Sequence, residues 1–166
     1  MRFLTPACVM LALAVNAAQA KAHFAGKREM IEKAEAIAIV NIEKVEAVRQ
    51  KGRHWTYAQK ATGTVEKSLK GDVKGPIEIY GDVDFICANC RYQTGRFLLF
   101  LRKDDGLWTG SNWHLGIRPI KEGKVQWFKD DRADFDSDYK AVFEHQELPL
   151  GGVVAEIDRV LKEQKK

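Results

Sequence analysis

The pattern of apolar and polar residues predicts a domain made mostly of β-strands. β-Branched and apolar residues are concentrated in residues 37–42, and residues 96–101 are apolar enough to form a strand buried on both faces. Residues 55–69 predict a second long strand, weakened at Gly63. The alternation of the first strand slips within residues 41–44, which predicts a β-bulge there.

The other predicted strands are shorter and are separated by turn residues. Asp104-Asp105-Gly106 is a strong hairpin signal, and Glu122-Gly123 separates two apolar runs in the same way. Gly81 to Thr94 predicts a loop. The short strands are expected at residues 76–80, 107–109, 117–120 and 125–128.

Helical spacing is confined to the two ends of this predicted domain. Residues 24–35 share an apolar stripe, and a last helix carries its stripe from Val153 to Leu161. About seven strands with short helices only at the ends predict a mainly β barrel or strongly coiled sheet. Helical spacing also occurs at Tyr139, Val142, Phe143 and Gln146.

Residues 1–20 predict a secretory signal peptide. A cationic start at Arg2 is followed by an apolar run over residues 7–18, and Ala18-Gln19-Ala20 offers the small side chains that a signal peptidase requires. The run is too short for a membrane anchor, and the residues before Cys8 lack the leucine usual at a lipid-attachment site. We therefore expect a periplasmic or secreted protein whose mature chain is a single domain of residues 21–166.

Three segments carry a resemblance to a known family. They are residues 36–45, residues 63–71, and Cys90 followed by residues 95–101. Their order resembles the netrin-like domain, the OB-type barrel that tissue inhibitors of metalloproteases also use, and small exported bacterial proteins of this type look similar. The resemblance implies a netrin-like OB barrel with short helices at both ends of the mature chain.

The chain departs from that family at the residue that inhibits proteases. Metalloprotease inhibitors present a cysteine at the mature N-terminus, where its amine and carbonyl chelate the zinc of the protease. The predicted mature start here is Lys21, with no cysteine nearby, and Asn41 stands where relatives often have glycine. The resemblance therefore implies a fold without implying the inhibitory activity.

The net charge gives little information about the partner. The chain has 27 Lys and Arg against 23 Asp and Glu, a net charge of +4, and the two signs are interspersed from Lys27 to Lys74. Such mixing is typical of solvated faces rather than of a nucleic-acid groove. We expect no nucleic-acid partner, and no segment after the signal peptide is apolar enough to cross a membrane.

Cys87-Ala88-Asn89-Cys90 is the sharpest local signal. In an oxidising compartment it favours a structural disulfide between Cys87 and Cys90. A redox pair is an alternative. No helix follows to lower the pKa of a thiol, but the nearby cations Arg91 and Arg96 would also stabilise a thiolate. A metal site is a third alternative, but a second pair of ligands is missing.

No catalytic motif is recognisable. The sequence from Asp134 to Asp138 resembles the start of a calcium loop, but Tyr139 and His145 stand where such a loop needs glycine and glutamate. The histidines do not fall in a nucleophile–base arrangement, and glycine-rich phosphate loops are missing. We therefore expect neither enzymatic activity nor a cofactor or bound metal.

Aromatic residues mark the expected contact surface. Alternation places Trp55 and Tyr57 on one side of a strand, and the loop containing Phe85 and Arg91 is more apolar than solvation alone explains. The main hypothesis is a non-catalytic binding module for a protein or glycan partner. The alternatives are a thiol–disulfide oxidoreductase using Cys87 and Cys90, and a structural component of the cell envelope.

Overall fold

The computed structural model describes residues 24–83, 89–131, 134–135, 141–142 and 144–165. The predicted signal peptide and its cleavage site lie outside the described residues. Phe85 and Cys87 also lie outside them. For residues 134–135 and 141–142, only the backbone is described.

Two long strands, β1 (Ala36–Lys51) and β2 (Thr56–Lys70), form the hairpin that begins the sheet. Their register shifts between Ile42 and Lys44, which confirms the predicted bulge. Gly63 lies opposite Ile42, and its backbone lies so close to the carbonyl of Asn41 that a Cβ would clash. The glycine that lowers the strand propensity of β2 is therefore required by the close approach of β1.

Shorter strands follow this hairpin, and the prediction of a mainly β protein is confirmed. A 3-10 helix, Trp113–Gly116, interrupts the series. In chain order the strands are β3 (Gly75–Val83), β4 (Gly95–Asp104), β5 (Leu107–Gly110), β6 (Ile117–Lys121), β7 (Lys124–Phe128), β8 (Asp134–Phe135), β9 (Ala141–Val142) and β10 (His145–Pro149).

The first five strands close on themselves. Their order is β1–β2–β3–β5–β4, and β4 pairs back onto β1 with Ala36 opposite Leu101. The β3–β5 pair is parallel and the other pairs of this ring are antiparallel. Strand β4 also pairs with β6, from which β7 and β10 continue the sheet away from the ring.

Two helices pack outside the strands. Helix α1 (Lys27–Lys33) precedes β1, and helix α2 (Leu150–Glu163) follows β10. Helix α1 is shorter than the predicted span of residues 24–35, because the chain becomes extended at Ala34 and the Glu35 amide donates to the Leu101 carbonyl at 2.9 Å.

The helical spacing from Tyr139 to Gln146 is misleading. The described residues of that stretch form β9 and the start of β10, in which His145 pairs with Phe128 of β7. The free edge of β7 offers the backbone a row of hydrogen bonds, and this tertiary pairing outweighs local helical periodicity.

Alternate residues of β1 and β4 enter two different cores. Ile37, Ile39, Leu98 and Phe100 face α1 and α2, together with Trp127. The intervening residues, all fully buried, fill the interior of the ring. They are Ala36, Ala38, Val40, Leu99 and Leu101. The prediction that the segment of residues 96–101 is buried on both faces is therefore confirmed from Phe97 to Leu101.

Candidate functional site

The turn between β1 and β2 folds onto the end of β4. Asp104, the last residue of β4, is 3% exposed and accepts hydrogen bonds from this turn. The Tyr57 hydroxyl donates to Asp104 Oδ2 at 2.7 Å, and the His54 amide lies 3.3 Å from Oδ1. Gly52 packs against the same carboxylate with no room for a Cβ. Asp104 therefore fixes the position of the turn.

Tyr57 is a core residue rather than an exposed contact. Its side chain is 1% exposed and lies beside Tyr80 at a ring distance of 6.2 Å. Burial raises the pKa of Tyr57, and the hydrogen bond to Asp104 raises it further, so the hydroxyl remains a neutral donor. The predicted contact role is corrected for this residue, because the turn folds inward and closes over its ring.

Trp55 lies at the rim of the same region and contacts a second tryptophan. The rings of Trp55 and Trp113 lie 5.7 Å apart at 75°, an edge-to-face arrangement. Both are partly buried against the cluster formed by Tyr57, Tyr80 and Val83. We call the half-buried apolar side chains over this cluster the Trp55 surface; they are Val48, Trp55, Leu107 and Trp113.

The loop that carries Trp113 holds an uncommon backbone conformation. Asn112 and Trp113 have φ values of 63° and 54°, in the left-handed region that bulky side chains rarely occupy. The Asn112 side-chain amide pairs with the backbone of Ala25, accepting from its N–H at 2.7 Å and donating to its carbonyl at 3.0 Å. This pairing to the segment before α1 helps to hold Trp113 against Trp55.

Arg91 lies exposed at the same end of the β2–β3 pair. Its Nε donates to Asp82 Oδ1 at 2.7 Å, and Asn89 donates to the same oxygen at 3.0 Å. Asp82 adjoins Val83, which pairs with Tyr57. The predicted contact residues Trp55 and Arg91 thus share one end of this strand pair, while Phe85 lies outside the described residues.

The environment of Cys90 suppresses its nucleophilicity. Its side chain is 4% exposed, with Sγ 3.9 Å from the Gly110 carbonyl oxygen. Burial raises the pKa of Cys90 to about 12. Thiol–disulfide exchange requires the thiolate, which is scarce at neutral pH for such a group. Cys87 lies outside the described residues, so the disulfide stays a prediction.

Metal and membrane features are missing from the part of the chain that the structure describes. There, no cluster of three or more His, Cys, Asp or Glu side chains has a metal-binding arrangement. None of the helices there is long and apolar enough to cross a bilayer. The side chains of the calcium-like segment, residues 134–138, lie outside this description.

Sequence reasoning missed Asp104 and Asn112 as site residues. Asp104 belongs to an evident hairpin motif, and its contact with Tyr57 spans 47 positions, which no local pattern encodes. The alternation around Trp55 was a usable signal. In the loop containing Asn112 and Trp113, the only signal in the sequence is a tryptophan beside turn-forming residues, which does not predict the backbone conformation or the contact with Ala25.

Comparison with known proteins gives no further information about this site. No model of a protein family matches the chain, and no curated protein matches it.

Proposed function

We propose that the chain is an exported, non-catalytic binding module that contacts a protein or glycan partner through the Trp55 surface and Arg91. The observation that carries this proposal is the Trp55–Trp113 pair, half-buried at one end of the ring and held there by a strained loop. Strained backbone persists where its surroundings impose it and is concentrated at functional sites. Tryptophan and arginine are also the residues most often found at binding hot spots.

An OB-type, netrin-like barrel is the fold we propose for the ring. Five strands in the order β1–β2–β3–β5–β4, closed by the β1–β4 pair, support this assignment. OB barrels bind oligosaccharides and oligonucleotides with the β1–β2 and β4–β5 loops. Here Asp104 brings the corresponding turns together, since it accepts from His54 and precedes the β4–β5 turn. The Trp55 surface lies beside both turns.

Export is part of the same proposal and rests on the predicted signal peptide, residues 1–20. The alternative hypothesis, a thiol–disulfide oxidoreductase, fits the environment of Cys90 less well, because Cys90 is buried and its pKa is raised. The second alternative, a structural component of the cell envelope, would not require the Trp55 surface. Phe85 remains a proposed contact residue on the basis of the sequence alone, which predicts a loop from Gly81 to Thr94.

The proposal is tested by binding of residues 21–166 to an array of defined glycans and to solubilised envelope proteins. Trp55→Ala and Arg91→Ala should weaken the retained interaction, Trp55→Ala by about 30-fold, as expected for a hot spot of roughly 2 kcal/mol. Trp108→Ala is the matched control, since Trp108 is also half-buried but its ring stacks with Lys103 at 4.9 Å.

Thermal unfolding distinguishes contact from packing. If Trp55 is a contact residue, Trp55→Ala loses affinity for the partner while its thermal midpoint stays within a few degrees of that of the wild type. If Trp55→Ala unfolds the domain, or if it binds every retained species as well as wild type does, the Trp55 surface is not the contact site.

A further inference from the structure

A buried arginine lies on β6. Arg118 is 5% exposed, and its guanidinium stacks on Phe128 at 4.9 Å. Nε donates to the Ile117 carbonyl at 3.2 Å, and Nη2 donates to the His114 carbonyl at 3.3 Å. Nη1 lies 3.2 Å from His145 Nε2, which must accept because a guanidinium only donates.

In the part of the chain that the structure describes, no negative charge pairs with Arg118. Among the described residues, no carboxylate lies within 4 Å of the guanidinium, whereas Arg91 and Arg96 pair with Asp82 and Glu66. A guanidinium has five N–H donors, and the described contacts occupy three of them. A buried cation without a paired anion is energetically costly, so proteins usually supply one.

The guanidinium contacts two exposed histidines, one through its ring (His145) and one through its backbone carbonyl (His114). His145 on β10 and His114 of the 3-10 helix are both exposed residues, although the His114 ring is partly covered by Phe24 at 5.5 Å. Burial lowers the pKa of each, and the Arg118 cation lowers it further. Both imidazoles are therefore largely neutral at physiological pH, which lets His145 accept from Arg118.

The described charges around this cluster do not supply the missing anion. Directly after β7, Lys129 is paired with Glu144, which precedes β10, at 2.8 Å. On β4, the residue opposite Arg118 is the apolar Leu98. Among the described residues, Arg118, His114 and His145 thus form a cluster that contains no carboxylate.

We propose that Arg118 anchors an oxyanion-binding site beside the exposed His145 that takes a carboxylate, sulfate or phosphate group. The guanidinium fork matches the geometry of such groups with two parallel N–H donors. Protonation of His145 removes its acceptor and turns the ring into a second donor, so an anion then bridges His145 and Arg118. Anion affinity therefore rises as the pH falls.

The probe is sodium sulfate added to the full chain, because sulfate keeps its charge over the pH range in which histidine titrates. Chloride replaces it in the reference sample at equal ionic strength. Binding is followed by the Arg118 Nε–Hε resonance in ¹H–¹⁵N spectra and by calorimetry. We expect saturable binding that is about tenfold tighter near pH 5 than near pH 8, the interval in which imidazole gains its charge.

The same titration with acetate distinguishes the source of the group. Tighter acetate binding indicates a carboxylate ligand, and tighter sulfate binding indicates a sulfate or phosphate ester. Either result supports the oxyanion site.

Two variants separate the site from general charge attraction. Arg118→Met keeps most of the side-chain length but removes the guanidinium, so sulfate should bind at least about tenfold more weakly. The variant should still fold, because replacing a buried charge by an apolar side chain of similar size is often tolerated. Arg49→Met, at an exposed position of β1, should bind sulfate like wild type. His145→Phe retains the ring contact with Phe128 and should flatten the pH dependence.

The proposal is overturned if sulfate and acetate leave the Arg118 resonance unchanged at both pH values. Equal losses of binding in Arg118→Met and Arg49→Met would also overturn it, because attraction would then reflect net charge alone. The readout in the wild-type chain does not depend on whether any variant folds.

Discussion

The Tyr57 hydroxyl donates a hydrogen bond to Asp104 at 2.7 Å and so ties the start of β2 to the end of β4. Both residues are almost fully buried. The bond therefore acts where water cannot replace it, and it holds the β1–β2 turn over the end of the ring.

Tyr57→Phe should lower the free energy of unfolding by about 1–3 kcal/mol, because it leaves a buried carboxylate without its closest donor. Chemical denaturation measures the change. Tyr80→Phe is the control, since its hydroxyl meets the exposed Glu78 at 3.2 Å and its removal should cost about 0.5 kcal/mol or less. Equal losses in the two variants would contradict the role assigned to Asp104.

Asn112→Gly should destabilise the attachment of α1. Glycine tolerates the left-handed backbone at this position but removes both hydrogen bonds to Ala25, at an expected cost of about 1–2 kcal/mol. Hydrogen exchange should accelerate in α1 more than in α2. Asn112→Asp keeps the acceptor for the Ala25 amide and should show a smaller effect. Unchanged exchange in α1 would argue against this attachment.

The strands could be predicted from the sequence because their signals are local. The slip near Asn41, the apolar run that forms β4 and the Asp104-Asp105-Gly106 turn each follow from neighbouring residues. The order of strands in the ring does not, because pairing β4 with β1 joins residues such as Ala36 and Leu101, which are distant in the chain.

The candidate site was less predictable than the fold. Alternation correctly grouped Trp55 with Tyr57, but it could not show that the turn folds inward and buries Tyr57. Arg118 lies in a short predicted strand where an exposed arginine is the ordinary expectation, and its burial results from packing against Phe128 and β10. Such contacts depend on the assembled sheet rather than on periodicity.

The Cys90 thiol should react slowly once any disulfide is reduced. Its pKa of about 12, raised by burial, lowers the thiolate fraction at neutral pH by at least about 100-fold relative to an ordinary thiol. Alkylation by iodoacetamide in Cys87→Ser measures this rate, and the same variant in denaturant is the control. Rapid alkylation of the folded variant would revive the thiol–disulfide hypothesis.

Stability should fall in mild acid. Burial lowers the pKa of His114 and His145 below 6.5, so the unfolded chain binds more protons than the folded chain in the interval below that value. Their contribution is present above about pH 6.5 and is lost as the pH decreases towards the folded-state pKa values. Denaturation in chloride buffers across this range measures the slope.

Two variants test whether His145 causes this pH dependence of stability. His145→Gln should reduce it, whereas His54→Gln changes an exposed histidine of the β1–β2 turn and should leave it unchanged. If both variants retain the full slope, the acid sensitivity arises elsewhere in the chain.

Adding one methyl group should have opposite effects at two glycines. Gly52 lies against the Asp104 carboxylate and the Tyr57 ring, so a Cβ must displace the bond that holds the turn. Gly52→Ala should therefore destabilise the domain by about 1–3 kcal/mol. Gly151 lies in the first turn of α2, where a Cβ would meet no neighbouring atom within 4 Å, and Gly151→Ala should stabilise the domain by about 0.5–1 kcal/mol.

The double variant Gly52→Ala with Tyr57→Phe shows whether the glycine acts through this bond. If Gly52→Ala destabilises the domain by displacing the Tyr57–Asp104 contact, its cost should shrink by more than about 0.5 kcal/mol once the hydroxyl is already absent. Denaturation of the four proteins of this cycle measures the coupling. Strict additivity would mean that Gly52 is needed for backbone packing alone, and that the turn reaches Asp104 independently of the tyrosine.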